Sequence, residues 1–532
     1  MGVLPRDQFT TEVPDDNLTP LRRDDYSGGE NTRQHASKIL PNQAEIIENW
    51  DIGVPGQIRK IPGLTLIEDL GSDAGTGLFG YDPDGGTNLL VATHGAKLET
   101  WPGSGTFTER KINFTTGLLT KIIKAGESGE GDVFLVGNGT DNWFRFEPDD
   151  LNTQQDLGST AGTGSDSPPK STVGLYYRNR AWILKSNLLY FSDAYPADYA
   201  VAFDTASQAF RMPVGTEKAL VGLRDLGILI LGADQVWGLN PSVVPDPTTN
   251  KPEKLLDIGC VAGNTCVQVG DDIWFLAPDG LRGIFRTQQD KLQLGQSFPL
   301  SYLLKSRYEN INWTQISKAT AVYWDNKYFI ALPTGAVSYN NQVWVFYPSQ
   351  LVNVGNNIAV PAAMVVTDWN VGAWAKLKVN NEERLYAIDS TTGKVYRVWY
   401  GTTNNGTAIT ATLAGREENF DQPLNYKVGG ELEVEAEVAG SGNSLAISIA
   451  LDGASFSSLG TLDLTSTTAP TLPINLPFSL ADSYVIRDKY HLESLGRYRT
   501  IQPKIVNSDA NTDPIILYGI NFTTFMEEYE TG

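Results

Sequence analysis

Short hydrophobic runs separated by turn residues dominate the chain. Between the frequent glycines and prolines lie runs of about four to seven residues rich in Val, Ile, Leu and aromatic side chains, a pattern typical of β-strands. Long stretches with the 3.6-residue period of a helix are missing from the sequence. The pattern therefore predicts an all-β protein.

The strand-like runs recur as one unit: a hydrophobic strand, a polar turn and a second strand that ends in an aromatic residue. Copies follow each other about 45 to 60 residues apart, the spacing of four-stranded propeller blades. We therefore predict a β-propeller of about six to eight blades over residues 61–420, with unrelated β-meanders or two sandwiches as the alternative. In one copy, Asn138-Gly139 is the expected tight hairpin turn. The copies occupy residues 87–101, 132–146, 180–191, 226–239, 271–284, 326–347 and 385–398.

The two flanks differ from this repeat. Residues 1–60 carry charged and polar clusters and few strand-like runs, which predicts an extended N-terminal arm that orders only against another surface. Residues 421–532 show strict alternation and predict a β-sandwich of jelly-roll or lectin-like pattern. Four glutamates at alternate positions of residues 431–438 are expected to protect an exposed strand edge.

Charge and cysteine content exclude several classes of protein. The chain has 532 residues, with 41 Lys and Arg against 62 Asp and Glu, and a net charge of −21. This excess argues against a protein that grips DNA, RNA or an anionic bilayer, although DNA can still pass close by. Two cysteines cannot build a disulfide framework or a four-ligand zinc site, and they favour synthesis in a reducing cytoplasm. We expect neither a membrane span nor a secretory signal.

The sequence contains few of the residue patterns that are typical of a catalytic site. The three histidines, His35, His94 and His491, are far apart in sequence, and the motifs of zinc hydrolases and nucleophile elbows are missing. Acidic pairs such as Asp271-Asp272 stand at predicted turns, where Asp accepts backbone hydrogen bonds, and this role is favoured over a pair of catalytic acids. We therefore expect no catalytic residues, no metal and no cofactor.

The tryptophans divide into two groups. Those inside the strand repeats are expected to pack between adjacent blades. Trp369 and Trp374 flank a short turn and are candidates for glycan contact, with packing in the core or at a blade edge as an equal alternative. The strand group comprises Trp143, Trp182, Trp237, Trp274 and Trp344.

A resemblance to a known family lies in residues 40–63, which read LPNQAEIIENWDIGVPGQIRKIPG. This segment resembles the N-terminal signature of tailed-bacteriophage virion proteins of the tail nozzle and tail-stabilisation type, which precedes a β-propeller. The order of arm, propeller and terminal sandwich extends the likeness over most of the chain, although many nozzle proteins lack such a sandwich. The matching positions are Pro41, Asn42, Gln43, Ala44, Asn49, Trp50, Gly56, Arg59, Lys60, Pro62 and Gly63.

The resemblance implies a non-enzymatic structural subunit of a phage tail. Its partners would be further copies in a ring, often six-fold, neighbouring tail or adaptor proteins, and genome DNA that leaves through the channel without specific binding. It implies a location in the virion tail after synthesis in the host bacterial cytoplasm. The arm motif would supply the assembly interface, through Pro41, Asn42, Gln43, Asn49, Trp50, Arg59 and Lys60.

Two other functions remain open from the sequence. One is a receptor- or glycan-binding propeller of a virion, which would need exposed aromatic residues on the loops of one face and would bind host-surface glycan. The other is a polysaccharide-degrading glycosidase, which would need two carboxylates with converging aromatic residues at the propeller axis.

Overall fold

The chain folds into two compact units. One combines residues 1–62 with residues 402–532, and the other contains residues 63–401. The computed structural model describes residues 18–83, 87–126, 132–148, 154–156, 167–194, 203–223, 227–294, 297–355, 358–437, 439, 442–465, 485–510 and 513–526. The division differs from the predicted boundary at 420/421, because the strand Ala411–Ala414 pairs with strands of the flanking segments.

Residues 63–401 form a β-propeller, which confirms the predicted fold class. Five four-stranded antiparallel sheets, one three-stranded sheet and four consecutive antiparallel strands of a larger sheet make up the unit, and we number them as blades 1 to 7 in chain order. Blade 1 contains Gly75–Tyr81, Leu89–His94, Lys97–Trp101 and Thr108–Lys111; blade 2 contains Lys121–Ala125, Val133–Gly137, Phe144–Phe146 and Gln154–Asp156; blade 3 contains Gly174–Tyr177, Arg180–Lys185, Leu188–Phe191 and Ala209–Arg211; blade 4 contains Glu217–Leu223, Gly227–Gly232, Val236–Leu239 and Glu253–Leu256.

The remaining blades follow the same order, with one exception in the last. Blade 5 has three strands, and blade 7 takes its fourth strand from the start of the unit. Blade 5 contains Val267–Val269, Asp272–Ala277 and Gly280–Gly283; blade 6 contains Thr320–Trp324, Lys327–Leu332, Gln342–Asn353 and Ala359–Thr367; blade 7 contains Val371–Val379, Glu382–Asp389, Lys394–Val398 and Leu64–Asp69.

The strand Leu64–Asp69 closes the ring of blades. It pairs antiparallel with Lys394–Val398, so the first strand of the unit completes the last blade. Beside this pair, Gly63 and Gly401 are joined by a backbone hydrogen bond of 3.1 Å. The first strand of blade 7 also contacts the first strand of blade 1. The two ends of the propeller unit are therefore joined by the backbone hydrogen bonds of one blade.

Apolar side chains fill the spaces between neighbouring blades. Trp143 packs among residues of blades 2 and 3, and Trp182 packs among residues of blades 3 and 4. Trp274 and Trp344 share a cluster between blades 5 and 6, whereas Trp237 is only partly buried against its cluster. The expected packing of aromatic residues between blades is confirmed, and it stabilises the ring through the large apolar area of each indole.

Several blade hairpins turn through two consecutive residues with positive φ. The pairs are Arg178-Asn179, Ser186-Asn187, Asp325-Asn326 and Asn380-Asn381. Positive φ at both central positions is the geometry of a type I′ turn, which favours Asn, Asp and Gly. The predicted tight turn at Asn138-Gly139 was wrong: Val136 pairs with Phe144, and the Asn138 side chain instead organises a longer loop by accepting from the backbone N–H groups of Thr140 and Asp141.

The flanking unit contains two antiparallel sheets. Both draw strands from each end of the chain. In one sheet the order is Ile46–Glu48, Ala411–Ala414, Ile501–Asn507, Ser444–Leu451 and Ser457–Asp463; in the other it is Trp50–Asp51, Ile58–Lys60, Ile516–Met526, Lys427–Glu437 and Val485–His491, with Leu18–Arg23 paired to Ile516–Met526 and Arg497–Tyr498 paired to Lys427–Glu437.

The described part of the predicted arm is folded into this unit rather than extended. Arg23 donates from Nε and from a terminal nitrogen to the two carboxylate oxygens of Glu418, at 2.6 and 3.0 Å. Glu418 is buried, so this bidentate pair holds the strand Leu18–Arg23 in place. The charge of Arg23, in one of the clusters that suggested an unattached arm, is therefore paired inside the same chain. Residues 1–17 lie outside the described part.

The prediction of an exposed edge at the alternating glutamates was wrong. The strand Lys427–Glu437 lies inside its sheet, between Ile516–Met526 and Val485–His491. Lys489 Nζ donates to Glu431 at 2.7 Å, and Arg487 Nε donates to Glu435 at 2.8 Å. Cross-strand pairs of opposite charge stabilise neighbouring strands, and here they neutralise a row of carboxylates.

Helices are few in the described residues. The longer one, Ile284–Leu294, follows blade 5, and a short one covers Lys305–Glu309. None of the described helices has the length and hydropathy needed to cross a membrane. The Asp272 carboxylate accepts hydrogen bonds from the backbone N–H groups of Phe285 and Arg286 at the start of the longer helix, at 2.9 and 3.2 Å. The acidic pair 271–272 therefore includes a structural acceptor, as expected for Asp at a turn.

Replacing Asp272 with Ala should destabilise the propeller by about 1 to 2 kcal/mol, because the first turn of the helix loses its acceptors. Urea unfolding followed by circular dichroism measures the change. Asp271→Ala is the matched control, since that neighbouring residue is exposed, and it should change stability little. Equal losses in both variants would contradict the capping role.

Candidate functional site

A polar pocket, which we call the axial pocket, lies at the end of the propeller where the first strands of the blades begin. Its volume is about 350 Å³. The lining residues come from the segments that lead into the first strands of blades 2 to 6, a convergence that no single sequence motif marks. They include Thr120, Lys121, Thr172, Glu217, Lys218, Gly263, Asn264, Ser317 and Lys318.

The axial pocket is locally basic in an acidic chain. Its lining carries Lys121, Lys218 and Lys318 against one carboxylate, Glu217. Burial lowers the pKa of Lys121, and the nearby Cys266 acts in the opposite direction. Lys318 Nζ donates to the backbone carbonyl of Ser338 at 2.6 Å. The pocket is therefore suited to small anions.

The lining does not present the chemistry of a glycosidase. Two carboxylates at a defined separation are needed for acid-assisted cleavage of a glycosidic bond, and Glu217 is the only one among the described lining residues. Its carboxylate lies 3.7 Å from Lys185 Nζ. Nor do three or more His, Cys, Asp or Glu side chains gather as a metal site within the described part of the chain.

Trp369 and Trp374 are not available for glycan stacking. Trp369 is 0% exposed and Trp374 is 7% exposed. Trp374 belongs to the strand Val371–Val379, and its ring packs 6.0 Å from that of Phe329. The Trp369 ring lies edge-on to that of Trp399 at 6.1 Å. Of the two alternatives, the structure supports packing, because neither indole offers a face to solvent.

The arm motif lies mostly inside the flanking unit. Gln43, Asn49, Trp50 and Lys60 are buried. Gln43 Oε1 accepts from Asn31 Nδ2 at 2.8 Å, and Trp50 pairs with Lys60 across two short strands. These four side chains are internal supports and cannot contact a neighbouring subunit directly in this arrangement.

The other three of the seven candidate interface residues are more exposed to solvent. Pro41 and Arg59 are exposed, and Asn42 is half-buried. The predicted assembly interface therefore reduces to these three residues.

Asn49 holds a strained turn in the motif. Its φ of 59° lies in the left-handed region, which Asn tolerates better than most residues. Its Nδ2 donates to the carbonyl of Thr410 at 2.7 Å, tying the first flank to the second. The backbone N–H of Ile61 donates to its carbonyl at 3.0 Å.

Two buried lysines donate hydrogen bonds within the same unit. Lys60 Nζ donates to Asn507 Oδ1 and to the carbonyl of Asp509. Lys427 Nζ donates to three backbone carbonyls, those of Gln422, Asn425 and Arg499. Burial lowers the pKa of each lysine from 10.5 to about 8, because the charged form loses hydration.

Comparisons with known proteins assign neither a family nor an activity to the chain. No family model matches the chain, and no curated protein matches it. The extracellular domain of BT4673 from B. thetaiotaomicron, described as a one-component system, is 11% identical over 63% of this chain and 40% of its own, at a TM-score of 0.39. BBS1N, solved in complex with ARL6DN, is 13% identical over 65% of this chain and 99% of its own, at 0.37.

A sialidase is also among the similar structures. The Trypanosoma rangeli enzyme is 8% identical over 91% of this chain and 94% of its own, at a TM-score of 0.30. At these identities and scores, none of the three proteins assigns an activity to this chain.

Asn49→Ala should lower the free energy of unfolding by about 2 kcal/mol, since it removes a hydrogen bond and leaves a β-carbon in the left-handed region. Asn113→Ala is the matched control: Asn113 also has a positive φ, of 71°, but is exposed, and the expected loss is about 1 kcal/mol. Urea unfolding measures the loss in both variants. An equal loss would contradict a stabilising role of the Asn49 hydrogen bond to Thr410.

The free energy of unfolding should rise as pH increases from about 8 to about 10. In this window the folded chain has released protons from Lys60 and Lys427, whereas the unfolded chain still binds them, so stability increases with pH. The double variant Lys60→Met/Lys427→Met should show a flatter rise in urea unfolding at several pH values. Lys38→Met, at an exposed position, should keep the full rise. If the free energy of unfolding rose with pH as steeply in the double variant as in the wild-type chain, Lys60 and Lys427 would not be the cause of the rise.

Proposed function

We propose that the chain is a non-enzymatic structural subunit of a bacteriophage tail, of the nozzle type that forms a ring around the DNA exit channel. Two lines of support come from the chain: the resemblance of residues 40–63 to the tail signature, and the combination of a propeller with a flanking unit of antiparallel sheets. The observation that carries an assembly role is an apolar loop tip on blade 4.

The loop tip consists of two adjacent valines. Val243 is 86% exposed and Val244 is 72% exposed. Scattered single apolar residues are ordinary on protein surfaces, but two adjacent, fully displayed valines cost solvation free energy that a partner surface would recover. The flanking prolines Pro241 and Pro245 are buried, so the valines project from an anchored base.

Hydrogen bonds hold the loop in one shape. Asn250 Oδ1 accepts from Ser242 Oγ at 2.9 Å and from the Asp246 N–H at 3.1 Å. Ser242 Oγ also donates to the Val244 carbonyl at 2.7 Å. A neighbouring blade contributes Arg178, which donates to Asn240 Oδ1 at 3.2 Å. A loop ordered in this way loses little conformational entropy on binding, which favours a role in permanent assembly.

The charge of the chain supports a channel that lets DNA pass. A net charge of −21 repels phosphates over about one Debye length, roughly 8 Å at physiological ionic strength. DNA adjacent to such a surface would slide without adsorbing. In this proposal further copies of the chain form the ring, often six-fold, and tail or adaptor proteins contact its rims in the virion.

Val243→Asp/Val244→Asp should shift the purified full-length chain from ring to monomer, because two carboxylates cannot be buried in an apolar contact. Sedimentation velocity measures the mass, and negative-stain projections show whether rings are present. Leu292→Asp is the matched control, since Leu292 is 88% exposed on a helix of the same propeller, and it should leave the ring intact.

Two results would overturn the proposal. One is a wild-type chain that stays monomeric at high concentration and in projections of particles that carry it. The other is a chain that cleaves or retains a bacterial surface polysaccharide, because that activity belongs to a different class of protein. Retention of duplex DNA at physiological salt would overturn the sliding channel alone.

A further inference from the structure

The two cysteines lie together at the two ends of a turn whose residues line the axial pocket. Cys266 Sγ donates to Cys260 Sγ at 3.5 Å. Cys260 is buried and Cys266 is half-buried. Both belong to the segment between the last strand of blade 4 and the first strand of blade 5, and residues 261–264 of that segment line the pocket. Cys266 is therefore the more exposed residue of the two.

The turn that joins the cysteines is fixed by its surroundings. Thr265 Oγ1 donates to the Ala262 carbonyl at 2.6 Å and accepts from the Leu276 N–H at 3.0 Å. Tyr328 Oη donates to the Thr265 carbonyl at 2.8 Å. At Gly263 a β-carbon would lie 1.9 Å from the carbonyl oxygen of Lys218, so only glycine allows this approach. The sulfurs are thus held close by packing.

The surroundings shift the pKa values of the two cysteines in opposite directions, so that one favours the thiolate and the other the thiol. Burial raises the pKa of Cys260, but hydrogen bonds with Cys266, the Ala262 backbone and Thr265, with a smaller contribution from the charge of Lys218, outweigh it, and the net pKa is lowered. Burial and the neighbouring Cys260 raise the pKa of Cys266, with Lys121 opposing them. A thiolate is the nucleophile in thiol–disulfide exchange. Both lysines also line the pocket through which a reagent would arrive.

We propose that Cys260 and Cys266 form a dithiol site that is oxidised to an intramolecular disulfide by a small anionic disulfide entering the axial pocket. This inference does not depend on the proposed tail function. The anionic preference follows from Lys121, Lys218 and Lys318 around the entrance. The product would covalently close the turn between blades 4 and 5.

The exchange balances in two steps. Cys260 holds the thiolate at rest, and the Cys266 proton moves to it across the S–H···S contact. The resulting thiolate of Cys266, the more exposed residue, attacks one sulfur of the incoming disulfide, whose S–S bond breaks as one thiolate leaves. Cys260 then loses its proton and attacks the Cys266 sulfur of the mixed disulfide, releasing the second thiolate. The two cysteines lose two protons and two electrons, and the incoming disulfide is reduced to two thiols. The new S–S bond requires the sulfurs to approach to about 2.05 Å.

The test uses the full-length reduced chain incubated natively with oxidised glutathione, quenched with acid, and then alkylated in denaturant. Intact mass should show a product lighter by two hydrogen atoms, without alkyl groups or glutathione. In Cys260→Ser, one glutathione should remain on Cys266, because no second thiol resolves it. Cys266→Ser should react at least about tenfold more slowly, since the remaining thiol is buried.

Charge selectivity is measured on the same wild-type chain. Oxidised glutathione, which is anionic, should oxidise the pair about tenfold faster than cystamine, which is cationic, and added salt should narrow the difference. Lys121→Met/Lys218→Met should remove the preference, with its fold checked by circular dichroism. Two alkylated cysteines after treatment, or a glutathione on each, would overturn the dithiol site. Faster reaction with cystamine would overturn the proposed reagent class; the wild-type data decide both points even where a variant fails to fold.

Discussion

Pairing of Leu64–Asp69 with Lys394–Val398 is the interaction on which the rest of the structure depends. A propeller closes only when the last blade contacts the first, and here the ladder joins the two ends of the unit. Gly63 and Gly401 are consequently held beside each other, and both flanks of the chain leave the propeller at one place. Segments separated by more than 300 residues in sequence can therefore build one flanking unit.

That constraint explains which parts of the fold the sequence predicts. The blade repeat is local, since each sheet is built from consecutive strands, and its hydrophobic pattern is visible within about 50 residues. The strands Leu64–Asp69, Ile46–Glu48 and Ile58–Lys60 pair with partners that are distant in sequence, in the second half of the chain. Nothing in their local pattern identifies those partners. For the same reason, an arm rich in charge was expected to lack a partner, although Glu418 supplies one.

The alternating glutamates are a second case in which the sequence predicts a strand but does not reveal its partner. Their period of two correctly predicts a strand with one polar face, but the neighbouring strand that carries Arg487 and Lys489 is highly charged and lacks a hydrophobic run. A strand that is stabilised by cross-strand ion pairs gives little hydropathy signal. The axial pocket is hidden for a related reason: Lys121, Lys218 and Lys318 are about 100 residues apart in sequence. Only the ring brings the starts of the first strands together.

Net charge and local charge have different consequences in this chain. The axial pocket contains more lysines than carboxylates, so the acidic excess must reside elsewhere on the molecule. Part of that excess is already paired, as at Glu431, Glu435 and Glu418, and paired carboxylates contribute little field beyond a Debye length. Repulsion of DNA therefore depends on where the unpaired carboxylates lie, whereas attraction of a small anion depends only on the axial lysines. The proposed acidic surface along which DNA would slide and the proposed capture of anionic reagents by a basic pocket are thus compatible within one chain.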